Sequence, residues 1–356
     1  MPYTNIDDPS AYFQIALYTG NGTGQTITND GNSDLQPDFL WFKNRDETVS
    51  NILWNSNIGI TKFLVSNSTA AEFTNASGYE LTSFNTDGFG LGAHNNAGIN
   101  QSSDYTYVCW QWKANAGTTS SNTDGTITST VQANTDAGFS IVTWAGTAST
   151  ATIGHGLGVA PKFMIVRARD KGVPTSWIVF HKDGSTSDDD YFILQGTFAK
   201  GTQAGLWNNQ YPSSTVFGVA NDFWVNSAST NYIAYCFAEK QGYSKFGSYV
   251  GNGNDNGPFI YTGFKPAFVL TKGTTVSQWR LYDSARSPNN VNINRLFPYS
   301  SSAEATDTDA GIDMLSNGFK IRGSGGDYNA SGTTYIYMAF ADNPLVTSTG
   351  IPTTAR

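Results

Sequence analysis

Two cysteines, three histidines and one run of aspartates are the residues with the most chemistry to offer in this chain of 356. A disulfide-stapled secreted scaffold needs more than Cys109 and Cys236. Neither C-x-x-C nor H-x-x-x-H occurs, so zinc has no ligand pattern. His94 stands outside any such spacing. His155 lies in "IGHGLG", a glycine-rich turn context. His181 follows an apolar run and precedes "KDG", where a strand-end residue facing solvent is expected. Asp188-Asp189-Asp190 carries the oxygens that Ca²⁺ prefers, but no EF-hand or nonapeptide pattern surrounds it, so it reads as a solvated loop. No G-x-S-x-G elbow marks a serine nucleophile. Glycosidases need only two carboxylates across a cleft, a pairing the sequence leaves open. Each copy has different carboxylates, however, and the repeated features are all apolar or turn-forming, so what the copies share is a scaffold; no metal or cofactor motif is present.

Binding chemistry has one candidate. Trp207, Asn208, Asn209, Gln210 and Tyr211 sit together in "AGLWNNQYPSS", residues 204–214. Such an aromatic–amide mixture can stack on a sugar ring and hydrogen-bond its hydroxyls, or bury itself at a protein interface. The other tryptophans singled out, Trp41, Trp54, Trp110, Trp144, Trp177 and Trp279, belong to apolar strands and are expected in a core.

Those strands recur. "QPDFLWFKNRD" (36–46), "APKFMIVRARD" (160–170) and "KPAFVLTKGTT" (265–275) each set a proline before a short apolar run. Aromatic and β-branched residues in such a run point to a strand, and a proline is tolerated where the strand begins. Second strands follow at "SNILWNS", "SWIVFHKD" and "SQWRLYDS". Turn-and-aromatic segments come next, at "TDGFGLG", "NDFWVNS" and "SNGFKIRG", and closing strands at "YTYVCWQW", "YIAYCFAE" and "YIYMAFAD". Proline to first tyrosine of the closing strand spans 68, 71 and 69 residues (37 to 105, 161 to 232, 266 to 335). Aligned on those tyrosines, Cys109, Cys236 and Ala339 share a register that asks for a small buried side chain. Opening strands match at "YFQIALYTGNG", "GFSIVTWAGTA" and "KFGSYVGNGND".

A period near a hundred residues is too long for a solenoid and long enough for a self-contained core. The expected fold is all-β: three tandem β-sandwich or jelly-roll-like domains at 1–116, 117–242 and 243–356. Residues 115–125 read as a linker and 126–138 as an extra strand. Unit two shows about ten extra residues before its "NDF" turn and about seven missing after it. Segments 67–73 and 301–307 could each form one helical turn.

Composition agrees. Aromatics make up 14% of the chain and charged residues 13%, which suits a turn-rich β-protein and excludes a disordered one. The net charge of −8, with no basic cluster, argues against a nucleic-acid partner. No apolar stretch approaches a membrane span and no secretory leader opens the chain.

The wording "PSAYFQIALYTGNGTGQTI…QPDFLWFKNRD…SFNTDGFGLG…YVCWQWKA", then "DGTITSTVQANTDAGFSIVTWAGT…IGHGLGVAPKFMIVRARD", resembles repeat domains in virion proteins of marine tailed bacteriophages. The likeness is close over units one and two and looser over unit three, whose strand ends "TKGTT" where the others end Arg-Asp. It implies a non-enzymatic structural protein on the particle surface, in a tail fibre or appendage or as capsid decoration. Its partners would be other virion proteins and host surface glycans, and a homotrimer is the expected oligomer. The competing expectation is a glycan-degrading or calcium-dependent carbohydrate-binding module centred on Asp188–Asp190.

Overall fold

The computed structural model describes residues 3–75, 80–93, 98–101, 104–170, 175–308 and 310–353. The fold is all-β, built from antiparallel sheets. Each unit pairs a large sheet with a small one. The large sheets share a core order of opening, closing, central and second strand. In unit one these strands are Phe13–Thr19, Thr106–Trp112, Phe39–Asn44 and Ile52–Asn55. In unit two they are Phe139–Ala145, Asn231–Phe237, Phe163–Ala168 and Ile178–His181. In unit three they are Ser244–Val250, Thr334–Pro344, Phe264–Gly273 and Arg280–Asp283. The small sheets contain Gln25–Ile27 with Phe89–Leu91, Ala151–Gly154 with Val216–Val219, and Asn256–Tyr261 with Gly318–Arg322.

Strand alternation sends one set of side chains into each sandwich and the other set out of its back. The sandwich interiors repeat almost ring for ring. A stacked pair, Tyr18–Tyr107, Trp144–Tyr232 and Tyr249–Tyr335, has centroids 5.1, 5.4 and 5.1 Å apart. The edge of Phe89, Phe217 or Phe319 meets the first ring of each pair at 6.0, 5.6 and 6.3 Å.

The backs of the three large sheets are buried against one another. One apolar cluster takes Trp41, Trp110 and Trp112 from unit one, Ile165, Tyr235 and Phe237 from unit two, and Leu270, Met338 and Phe340 from unit three. Trp112, Phe237 and Phe340 pair with the cognate residues Phe39, Phe163 and Phe268. Their rings form a near-equilateral triangle with sides of 6.2, 5.9 and 5.6 Å. The molecule is thus a three-sided prism about a quasi-threefold axis, with three sandwich cores around a fourth, shared one. Four cores accommodate eight buried tryptophans; Trp224 is the half-buried exception.

The pairing corrects the alignment of the closing strands. Register places Tyr107, not Tyr105, with Tyr232 and Tyr335, and the proline-to-tyrosine intervals become 70, 71 and 69 (37 to 107, 161 to 232, 266 to 335). Cys109 is therefore cognate to Ala234 and Tyr337, and Cys236 to Gln111 and Ala339. Both thiols are free and buried. A slip of two residues keeps every side chain on its face, so alternation could not reveal it. "NDFWVNS" forms turns, and the cognate of the other two turn strands is Val216–Val219. Aromatic to tyrosine is then 18, 15 and 16 residues (89 to 107, 217 to 232, 319 to 335) and proline to aromatic 52, 56 and 53 (37 to 89, 161 to 217, 266 to 319), so the supposed insertion and deletion shrink to a few residues each. The glycine that marks this turn strand in the other units is missing from unit two. Gly88 and Gly318 sit where a Cβ would meet the Ile27 or Ile260 carbonyl at 2.0 and 2.1 Å. Unit two instead has Val216 there and Gly154 opposite.

Segments 67–73 and 301–307 are extended or turn, not helical. Within 126–138 the expected extra strand is present as Ser129–Asn134, preceded by Ser120–Asn122, and both join the sheet of unit two.

Candidate functional site: the seams of the prism

A set of buried polar side chains at cognate positions lies where units meet. Opposite Phe39, Phe163 and Phe268, the second strands place Asn55, His181 and Asp283, all fully buried. Each bonds to the closing strand of the next unit. Asn55 donates through Nδ2 to the Tyr235 hydroxyl at 3.0 Å. His181 Nε2 lies 3.1 Å from the Tyr337 carbonyl. The Trp110 indole N–H donates to Asp283 at 3.0 Å. Tyr235, Trp110 and Met338 are cognate. Where unit three has the apolar Met338, His181 takes the carbonyl of the preceding residue instead.

A second ring runs the other way. Asn51, Trp177 and Trp279 directly precede cognate second-strand residues. They donate to the cognate carbonyls of Phe297, Val65 and Ile193 at 3.1, 3.0 and 2.9 Å. The two rings close the prism in both directions.

Ion pairs cap the seams. Arg169 reaches Glu72 at 2.8 Å and Arg45 reaches Glu304 at 2.9 Å. Backbone bonds run Glu72 N to Arg169 O, Glu304 N to Arg45 O and Lys200 N to Thr274 O. Thus Thr274, where unit three departs from Arg-Asp, faces Lys200, which stands in the place of the glutamates. Both halves of the pair have changed. Arg286, buried, bridges Asp283 at 2.6 Å and Glu304 at 2.5 Å.

One residue beyond the aromatic run the central strands carry Lys43, Arg167 and Lys272, a cognate set of fully buried cations. Their partners are mostly carbonyls. Lys43 donates to Asn44, Glu47, Val49 and Ser301, and Lys272 to Gly273 and Thr275 and to the Ser277 hydroxyl. Arg167 donates to Thr175 and to the Ala70 carbonyl of unit one. Burial lowers Lys43 to about 8 and Lys272 to about 7. Each cation gathers the loop that follows its own strand.

His181 does not face solvent as expected. It is buried, its Nδ1 accepts from Gly184 N and its Nε2 donates to Tyr337 O, which fixes the neutral tautomer. Burial pulls its pKa down to about 4. His155 has the same geometry, accepting from Leu157 N and facing the Ser213 carbonyl, and so shapes its turn. His94 lies outside the described residues. Neither described histidine has a ring nitrogen left for catalysis.

The aromatic–amide cluster does not assemble a stacking platform. Trp207 is buried in the sandwich of unit two and its indole N–H donates to the Asp190 carbonyl. Asn208 and Asn209 occupy left-handed turn positions at φ 59° and 50°. Tyr211 is exposed, with the Lys182 ammonium 3.0 Å from its ring centroid. Asp188, Asp189 and Asp190 do not converge: Asp190 is buried, paired with Lys200 at 2.6 Å and held by Thr202 and Thr186. These contacts keep its carboxyl well below the usual range despite its burial. Among the described residues no three His, Cys, Asp or Glu side chains group as metal ligands. No helix there is long and apolar enough to cross a membrane.

The three seam polars were visible in the sequence as "WNS", "FHK" and "YDS", but only the correct register shows that they share one position.

Residues 8–344 match one family model, described as a domain of unknown function (DUF7483), and the chain belongs to that family. One match spans all three units, so the family's domain is the whole prism. No curated protein and no solved structure matches the chain at a significant level.

Proposed function

We propose that this chain is a non-enzymatic structural protein of a bacteriophage particle, displayed on the surface in a tail fibre or appendage or as capsid decoration. The sequence resemblance supplies the particle. The observation that carries the structural role is the double ring of seam hydrogen bonds, which commits the buried polar side chains at cognate positions to holding three sandwiches together. Host surface glycans remain the proposed contact, met by exposed side chains and not by Trp207. The expected homotrimer is not needed to complete the core, because one chain already closes a three-sided body. Light scattering separates 38.4 kDa from three times that mass.

Quantitative mass spectrometry of gradient-purified particles, with antibody labelling in the electron microscope, tests the reading. Labelling at a fixed place on intact particles supports it. Recovery only in the soluble lysate overturns it.

A further inference from the structure

The small sheets have cognate edge strands, but that of unit three presents different side chains to solvent. Ile27, Ile153 and Ile260 pair with the edge-on phenylalanines and lie in the three sandwich cores. Alternation turns the residues on either side of each isoleucine away from the core. Those are Thr26 and Thr28 in unit one and Thr152 and Gly154 in unit two, but Phe259 and Tyr261 in unit three. The two rings are 45% and 48% exposed. The shared fold does not require aromatic residues there, since two copies of the unit do without them.

The rings border a groove at the mouth of the unit-three sandwich. In unit two the added strand Ser129–Asn134 fills the corresponding mouth, and its Val131 enters the core. In unit three only six residues (238–243) precede Ser244, too few to cross between units and also supply a strand. The mouth is left as a groove of about 600 Å³, with Tyr249 and Tyr337 in its wall. The Lys182–Gly184 turn of unit two packs against the opening strand, whose Ser244 and Phe246 are buried, and contributes Asp183 to the groove. A second hollow of about 420 Å³ shares Lys245 and Tyr261 with the first and runs on to Tyr3, Lys162 and Glu239. Tyr3 steadies the ring between the two hollows. Its hydroxyl donates to the Gly263 carbonyl at 2.5 Å and lies 3.4 Å from the Tyr261 hydroxyl. Lys162 pairs with Glu239 at 2.5 Å. The Lys245 ammonium stands 5.4 Å from the Tyr261 ring centroid and has no ion pair among the described residues.

The geometry points to a carbohydrate-binding groove along the seam of units two and three, taking a neutral oligosaccharide. Exposed aromatic rings stack on the C–H face of a pyranose, and charged groups beside them form strong hydrogen bonds with its hydroxyls. Phe259 and Tyr261 are the stacking platforms. Asp183 accepts from sugar hydroxyls, and the Lys245 ammonium donates to one. The two cations, Lys162 and Lys245, are matched by Glu239 and Asp183, so the groove has no net charge to draw an acidic sugar. Each hollow falls in the range of ligand sites, about 300–1,000 Å³. The inference rests on the proposed function for the source of the sugar, a host surface glycan, whereas the site itself rests on the groove.

The test applies the full chain, fluorescently labelled, to an array of neutral glucose-, galactose- and mannose-based oligosaccharides and of uronic-acid-based ones. Binding is expected on the neutral set. Titration calorimetry with the strongest binder should show Tyr261→Ala and Phe259→Ala each weakening affinity at least tenfold, and Asp183→Asn at least threefold. Phe198→Ala, which removes an exposed aromatic outside the groove, should leave affinity unchanged. An array silent on neutral sugars, binding confined to acidic ones, or affinity indifferent to Phe259 and Tyr261 overturns the proposal. If Tyr261→Ala does not fold, Phe259→Ala, which removes no hydrogen-bonding side chain, decides alone. Particle labelling separates this inference from the reading it rests on. Sugar binding by a chain absent from particles sinks the virion role and keeps the groove, and a silent array for a particle-borne chain does the reverse.

Discussion

The sandwich interiors and the seams of this prism were copied from the same unit but have diverged differently. Inside the sandwiches the stacked aromatic pair and its edge-on phenylalanine recur with centroid distances that vary by less than 1 Å. At the seams the position recurs and the chemistry does not: amide to phenol, imidazole to carbonyl, indole to carboxylate. A sandwich interior must fit only itself, and close packing selects the same shapes each time. A seam joins two different units once the copies are covalently linked. Distinct donor–acceptor pairs then make each seam fit its own neighbour, since a mismatched pair leaves a buried polar group unbonded at about 1–3 kcal/mol.

The largest expected effect comes from the axis. Trp112→Ala should cost about 3–5 kcal/mol and lower amide protection in all three units, because its ring meets both Phe237 and Phe340. Phe217→Ala, a comparable truncation inside unit two, should cost a similar amount but open unit two alone. Native-state hydrogen exchange reads both. Equal spreading of the two defects would erase the distinction between shared and private cores. Next is Asp283→Asn, which keeps an acceptor for Trp110 but removes one of the carboxylates facing buried Arg286. About 3 kcal/mol should be lost in urea unfolding, whereas Asn55→Ala, at a neutral seam, should cost only about 1–2 kcal/mol.

The middle seam responds to pH. His181 binds a proton near 6.5 when unfolded and near 4 when folded, because burial disfavours the imidazolium. The unfolded chain therefore takes up more protons between those values. The contribution of His181 is full above pH 6.5, falls as the pH drops towards 4, and is constant below that. The total is roughly 3 kcal/mol. His181→Gln can reproduce both hydrogen bonds without titrating. Subtracting its unfolding free energies from those of the native sequence, pH 3 to 8, should leave that step. A flat difference would mean His181 is not buried at a seam.

Much of the architecture was legible because it is repeated: prolines, aromatic runs and closing strands gave an all-β chain of three similar units. What failed has physical causes. Alternation has period two, so Tyr105 and Tyr107 were equally good anchors, and the wrong one paired Cys109 with Cys236. Unit two has Val216 where the other units have Gly88 and Gly318, so no glycine marked its turn strand and the search went to "NDF". His181 looked like a strand-end residue because its strand does end there. Nothing in its own unit shows that Tyr337 of the next one covers it. Trp207 looked like a sugar or protein contact because amides surround it in sequence, but those amides turn the chain and the indole points into the core of its own unit.

The smallest effect tests whether the seam ion pairs add specificity or only cover the ends. Arg45–Glu304 is bidentate and Arg169–Glu72 is a single Nε–Oε2 contact, both largely buried, while the third seam has Thr274 and Lys200. Arg169→Thr makes the first seam resemble the third on one side only. It leaves Glu72 with Lys62, 3.9 Å away, so the loss should be about 1 kcal/mol or less and shrink in high salt. Glu72→Lys alone places Lys62, Arg169 and the new cation together and should cost more than Arg169→Thr. The double substitution, which copies the Thr274–Lys200 arrangement, should recover most of that difference in thermal unfolding. Recovery identifies Thr274 and Lys200 as a compensated pair. A double variant no better than Glu72→Lys would show that the third seam is held by its backbone bond and the Trp279–Ile193 contact without help from the side chains at its rim.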